Sequence, residues 1–219
     1  MPEAVIFDLD GLLLESEQVW NKSKHRLTSE RGGRWKPEAA RAMLGMSSLE
    51  WSRYMHDELA VPLTPGEISE EVVKLVQSSY ERELPLLPGA GDAVRRAAEH
   101  WPLGLASSSN REIIDAVLRR TGWTQLFAVT VSSEEVERGK PAPDVYLEAA
   151  VRLGAAADRC VAIEDSSAGI RAAVVAGMGV VAIPNREYPP EPEVVRGADV
   201  VLDSLEALDA EAIERGGAA

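Results

Sequence analysis

Six short apolar runs, at residues 4–7, 103–106, 127–131, 160–163, 179–183 and 199–202, restrict this chain more than any other feature. Each is shorter than a typical helix, and each is continuously apolar rather than alternating. Runs of that kind suit strands of a sheet covered on both faces. From about residue 88 they alternate with segments of helical period. Ser109 and Glu112 have capping-box spacing, Ile113, Ile114, Val117 and Leu118 share one helical face after them, and Gly122 is a stop. Pro143 opens a helix that carries Val145, Tyr146, Ala149 and Leu153 and ends at Gly154. Ser166 or Ser167 caps a helix that runs to Gly177, and Asp203 with Glu206 repeats the box spacing. This alternation predicts an α/β fold with a doubly wound, parallel, Rossmann-like sheet.

Residues 16–83 break the pattern, because no convincing strand falls there. One helix is predicted from Ser16 to near Arg31 and another after Pro37. Ser47 with Glu50 and Thr64 with Glu67 make capping boxes for two more. The expected organisation is an α/β core of residues 1–15 and 84–219 with an inserted α-helical cap of residues 16–83. Pro85 and Pro88-Gly89 mark the return to the core, and the Gly216-Gly217-Ala218-Ala219 tail is expected to fray.

The net charge of -13 makes the chain a poor binder of nucleic acid or anionic membrane, which need a positive footprint. Any anionic ligand must therefore find its positive charge at the site itself, from placed basic groups or a bound cation. The lone cysteine, Cys160, makes no internal disulfide and reads as a small buried strand residue. With no apolar run of transmembrane length and no basic leader at Met1, a cytoplasmic protein is expected.

Four segments carry chemistry, and each follows a predicted strand. In Phe7-Asp8-Leu9-Asp10-Gly11 the two aspartates lie two apart, so in extended chain they point to one side at the carboxyl edge of the sheet. Crowded carboxylates call for a cation or a proton, and hard oxygen ligands suit magnesium. Taken alone the stretch is equally an ordinary turn. Ala106-Ser107-Ser108-Ser109-Asn110 opens a helix, where hydroxyls and N–H groups either cradle phosphate or simply cap. Lys140 precedes two prolines that stiffen its segment, which suits a fixed cation. Glu164-Asp165 is a second carboxylate pair, open to metal ligation or to helix capping.

Together and in this order, these segments make the chain resemble the haloacid dehalogenase superfamily of phosphotransferases over essentially its whole length. Asp8-Leu9-Asp10-Gly11, Ser107, Lys140 and Glu164-Asp165 match its four motifs. The longer strings from Asp10 to Glu17, Gly139 to Asp144 and Glu164 to Gly169 resemble the branch with a helical cap, which includes beta-phosphoglucomutase and sugar- and hexitol-phosphate phosphatases. The resemblance implies that Asp8 attacks phosphorus and Asp10 acts as general acid and base. Ser107 would bind a phosphoryl oxygen, and Lys140 with magnesium would balance charge. The implied metal ligands are Asp8, the Asp10 main-chain carbonyl, Asp165, and Glu164 directly or through water.

The expected substrate is a small phosphorylated metabolite, in particular a sugar or polyol phosphate. Ser108, Asn110, Glu17 and Trp20 are its candidate contacts. Trp20 offers a sugar-stacking face or packs inside the cap, and Trp51 and Trp101 read as packing residues. On this alignment the mutases have histidine where Trp20 stands and arginine near Ser47-Ser48, so hydrolysis is favoured over mutase chemistry. A non-catalytic phosphometabolite-binding protein would carry a degenerate site, and none of the motif positions is degenerate. His25, His56 and His100 have no catalytic role in this reading. The fold works as a monomer, and a monomer is expected.

Overall fold

The computed structural model describes residues 1–217. The chain opens with β1 (Ala4–Phe7) and continues through α1 (Glu17–Glu30), α2 (Ala39–Ala42), α3 (Ser48–Asp57) and α4 (Pro65–Arg82). Helices and strands then alternate: α5 (Ala90–Ala98), β2 (Leu103–Ser107), α6 (Arg111–Thr121), β3 (Phe127–Ser132), α7 (Asp144–Leu153), β4 (Cys160–Glu164), α8 (Ser167–Val175), β5 (Gly179–Ala182), α9 (Pro192–Val195), β6 (Val200–Val201) and α10 (Ala210–Gly216). The strands form one sheet in the order β3-β2-β1-β4-β5-β6, and every pairing is parallel.

β1 sits where the winding reverses, between β2 on one side and β4 on the other. In an open α/β sheet the carboxyl ends of the strands at such a point form the ligand crevice. The two-residue period of β1 sends Val5 and Phe7 to one face, where they pack with α5, α6 and α10 residues such as Val94, Ile113 and Ile213. It sends Ala4 and Ile6 to the other, against α7 and α8 residues such as Tyr146 and Ile170. All four residues of β1 are buried, as are all those of its neighbours β2 and β4, so the strand ending at the crevice lies at the centre of the core.

The sheet edges differ from the expected burial. On β3 Ala128 is exposed, and β6 shrinks to two residues with Val201 half-exposed, because each edge strand lacks one neighbour. Two predicted caps also differ. α6 begins at Arg111, not after Ser109. The Ser109 N–H donates to Ser107 Oγ (2.9 Å) and its carbonyl accepts from Ser132 Oγ (2.7 Å), which ties it into the loop. Asp203 caps no helix; a single tight turn follows at Leu205–Ala207, and α10 is capped instead by Asp209, which accepts from Ala212 N at 2.8 Å. Gly216 does not fray: it closes α10, is buried, and a Cβ there would press on Val181. Ala218 and Ala219 lie outside the described residues.

α1–α4 interrupt the core between β1 and α5. Both capping boxes expected there form, Glu50 accepting from Ser47 N and Glu67 from Thr64 N, each at 2.8 Å. The two crossings into and out of the helices are stitched together. Glu15 N donates to Pro85 O at 2.8 Å and Leu87 N to Leu13 O at 3.0 Å, so the helices hang on a short two-stranded tether. Among the described residues no helix is long and apolar enough to cross a membrane.

Candidate active site

The tether brings α1 and α3 over the carboxyl edge of the sheet, and a partly open cavity of about 110 Å³ lies between them. Asp8 and Asp10 from the end of β1, Lys140 from the loop before α7, and Asp165 from the end of β4 line it from below. Glu17, Trp20 and Lys24 of α1 line it from above. Three of the four predicted motif segments thus contribute side chains to this cavity, and the second does so through Ser108, Ser109 and Asn110.

Lys140 is the centre of the charge network. Its ammonium donates to Asp8 Oδ1 (2.5 Å), Glu164 Oε1 (2.6 Å) and the Ala106 carbonyl (3.0 Å), so all three of its N–H bonds are used. Burial alone would push Lys140 down. The Asp8 and Glu164 charges outweigh it and hold the lysine above its ordinary value. Asp8 is raised well above the carboxylate range by burial and by the Glu164 and Asp10 charges, despite Lys140.

Glu164 spends both oxygens on the protein. Oε1 accepts from Lys140 and from the Tyr146 hydroxyl (2.7 Å), and Oε2 accepts from Asp165 N (3.0 Å), Ser166 N (3.2 Å) and Ser166 Oγ (3.2 Å). Gly169 makes room for this arrangement, since a Cβ there would lie 1.7 Å from Glu164 Oε1. Asp165 is the opposite case. Its Oδ1 is buried and has no hydrogen-bond partner, and burial with the neighbouring Glu164 and Asp8 charges raises it well above the usual range. Gly11, at φ +88°, lets the chain pass so close that a Cβ would sit 2.3 Å from Asp165 Oδ2.

Ligand oxygens of Asp8, Glu164 and Asp165 lie within 4.8 Å of one another, and all three residues are buried. One ammonium does not neutralise three carboxylates, and an orphaned buried oxygen is rare in folded proteins. The cluster therefore fits a hard divalent cation, with Asp165 Oδ1 as the free donor.

Asp10 is held from two sides: Ser107 Oγ donates to Oδ2 (3.1 Å) and Trp20 Nε1 to Oδ1 (3.4 Å). Ser107 differs from the sequence expectation. It is fully buried, does not line the cavity, and its hydroxyl serves Asp10. The start of α6 differs as well. Glu134 accepts from Asn110 Nδ2 (2.7 Å) and Arg111 N (2.9 Å), so a carboxylate of the protein already occupies the anion position there. Asn110 lines the cavity, yet its Oδ1 accepts from Ser48 Oγ of α3 at 2.9 Å, which makes the residue a link between the helical insertion and the core.

Trp20 lines the cavity and packs tilted against Trp51 with ring centroids 5.9 Å apart. Burial pushes Glu17 up to about 7, opposed by Lys24. Trp101 packs in the core, and His25, His56 and His100 lie outside the cavity lining. Burial also raises the Cys160 thiol to about 11, as suits a packing residue.

Sequence reasoning missed Lys24, Tyr146 and Asn185. Tyr146 was read only as core, although a buried tyrosine hydroxyl needs a partner. Asn185 follows β5 at the same sheet edge as the motifs, and its Nδ2 donates to Gly11 O at 3.3 Å. A polar residue just past a predicted strand was the available signal. Lys24 gave none, because a charge on an amphipathic helix reads as solvated.

A family model described as haloacid dehalogenase-like hydrolase matches residues 2–177. Hexitol phosphatase B of Escherichia coli is 34% identical over 213 residues, covering 94% of each chain. The bifunctional riboflavin kinase/FMN phosphatase of Arabidopsis thaliana is 31% identical over 94% of this chain, which spans 54% of that protein. The crystal structure of CbbY from Rhodobacter sphaeroides in complex with phosphate superposes with a TM-score of 0.87 at 27% identity, covering 98% of this chain and all of that one.

Proposed function

This chain belongs to the haloacid dehalogenase-like hydrolases, and from that membership we propose that it hydrolyses the phosphate ester of a sugar or polyol through an aspartyl-phosphate on Asp8. The observation that carries the reading is the placement of Asp8 and Asp10 in one cavity, each carboxylate fixed by a different donor set. Residues 16–83 act as the cap that closes over the ester and excludes water.

Lys140 orients Asp8 through Oδ1 and leaves its other oxygen for phosphorus. A bond forms from that oxygen to phosphorus as the ester bond breaks, and Asp10 gives its proton to the departing alkoxide. Asp10 then takes a proton from water as the water oxygen attacks phosphorus. Phosphate leaves and the Asp8 carboxylate is restored. Ser107 and Trp20 keep Asp10 aimed through both half-reactions. Asp8, Asp165 and the Asp10 carbonyl would hold magnesium, which would supply the positive charge that a transferring phosphoryl group requires. Glu164 holds Lys140 in place and, as a member of the same carboxylate cluster, would serve the metal directly or through water.

Hydrolysis is favoured over phosphomutation because an indole N–H stands at residue 20, donated to Asp10, where a mutase needs a group that shuttles protons. A sugar or polyol phosphate is favoured by hexitol phosphatase B, which matches over nearly its full length. The acidic charge of the chain disfavours nucleic acid and anionic membrane and leaves a small metabolite as the partner of the cavity. Phosphate release from a panel of sugar, polyol and short-chain acid phosphates, with and without magnesium, tests the reading. Magnesium-dependent release, greatest for a sugar or polyol ester, is expected; no release from any member would defeat it.

A further inference from the structure

Two lysines line the active-site cavity, and their circumstances are opposite. Lys140 has every N–H committed to the protein. Lys24 is only 5% exposed, yet among the described residues its ammonium makes no hydrogen bond and no ion pair within 4.0 Å. It lies 5.0 Å from the centre of the Trp51 ring and 5.6 Å from that of Trp20, so two indole faces support it from behind. Ring faces offset only part of the cost of burying a charge. The remaining donors open on the cavity.

The helix geometry fixes where they act. Lys24 is one turn beyond Trp20, about 6 Å further along α1, and helical side chains lean back toward the N-terminus. Trp20 reaches Asp10, the proposed acid for the leaving oxygen. Lys24 shares the cavity with Asp10, whose charge acts on it, so on the phosphatase reading it faces the part of the substrate that departs. Glu17 lies on the same face of α1, seven residues earlier, and also lines the cavity. A carboxylate there disfavours a second anionic group. An ammonium beside it supplies donors to neutral oxygen acceptors.

We propose that Lys24 is a specificity-determining residue that donates hydrogen bonds to hydroxyl oxygens of the departing polyol or sugar, and so selects polyhydroxylated leaving groups. This rests on the phosphatase reading above and adds the group that tells one ester from another. A purely structural lysine, wedged between indoles to pack the cap, would affect all esters alike.

The test is kcat/KM for sorbitol phosphate and for p-nitrophenyl phosphate, whose leaving group carries no further hydroxyl, in the natural chain and in Lys24→Met. Methionine keeps the apolar stem and removes the donors. Loss of a charge-assisted hydrogen bond lowers the sorbitol phosphate value about 10- to 100-fold more than the p-nitrophenyl phosphate value, chiefly through KM. Should Lys24→Met fail to fold, Lys24→Leu carries the same comparison, since it too removes the donors. Equal losses on both esters, no loss on either, or a natural chain without preference for sorbitol phosphate would overturn the proposal. Failure of the natural chain to hydrolyse either ester would instead defeat the phosphatase reading, and this inference with it.

Discussion

Lys140 Nζ stands 2.5 Å from Asp8 Oδ1, with both side chains buried and 132 residues of sequence between them. The contact ties the loop before α7 to the end of β1. It also sets the electrostatics of the cavity, because Lys140 is the cation that faces both Asp8 and Glu164. A buried ion pair of this kind is weak evidence for stability, since desolvation offsets its attraction. Breaking it is another matter.

Lys140→Ala leaves buried carboxylates with no counter-charge from the protein. Removing one partner of such a pair costs about 3–5 kcal/mol. Loss of a fixed positive group at a reacting phosphoryl centre lowers kcat about 10²–10³-fold. Urea unfolding and steady-state kinetics check the two effects separately. A variant of natural stability and near-natural kcat would show that Lys140 is not the group that holds Asp8.

Gly169→Ala gives a sharp test of the Glu164 environment. In an exposed helix the change would stabilise by about 1 kcal/mol. Here the new Cβ falls 1.7 Å from Glu164 Oε1, so Glu164 must leave its hydrogen bonds to Lys140 and Tyr146. Destabilisation of about 3 kcal/mol or more is expected, with reduced activity. A rise in melting temperature would contradict the packing.

Ser48→Ala removes the bond that closes α3 onto Asn110. The Asn110 oxygen is left without its donor, a cost of about 1–3 kcal/mol borne by the closed arrangement. Amide exchange in α3 should quicken while β1 and β4 stay protected. Equal exchange in both proteins would show that Ser48 does not hold the cap.

Away from the cavity, Glu135 carries a pH dependence of definite sign. Its hydrogen bonds from Arg111, Ser132 N and Arg152 outweigh partial burial and lower it from its ordinary 4.5 to about 2. A depressed carboxylate stabilises the fold above its unfolded pKa, and that contribution fades as pH falls through the folded value. The stability gap between the natural chain and Glu135→Gln should be full near neutral pH and shrink between pH 4.5 and 2. A gap that widens on acidification would reverse the assignment.

What could be read from the sequence was whatever depends on near neighbours. The apolar runs before Asp8, Ser107 and Glu164 marked the strand ends, and the spacing of Ser47 with Glu50 marked a real cap. Asp8, Asp10, Lys140 and Asp165 were named and do share a cavity. What stayed hidden depends on partners far apart in the chain. Glu134 caps α6 from 24 residues away, which no local pattern announces. Glu164 is satisfied by donors from α7 and from the loop before it, so its spent oxygens could not be seen in Glu164-Asp165-Ser166. Ser107 faces Asp10 because β2 lies beside β1, a register visible only in the folded sheet. Lys24 reads as a surface charge until Trp51 of another helix closes over it.

The central claim is a covalent phosphoryl group on Asp8. Rapid quenching during turnover with magnesium, followed by reduction of the acyl phosphate with tritiated borohydride and peptide mapping, tests it most directly. Label at Asp8, absent in Asp8→Asn and absent without magnesium, is the predicted result. Phosphate release that proceeds with no label at Asp8, or that survives Asp8→Asn, would contradict it.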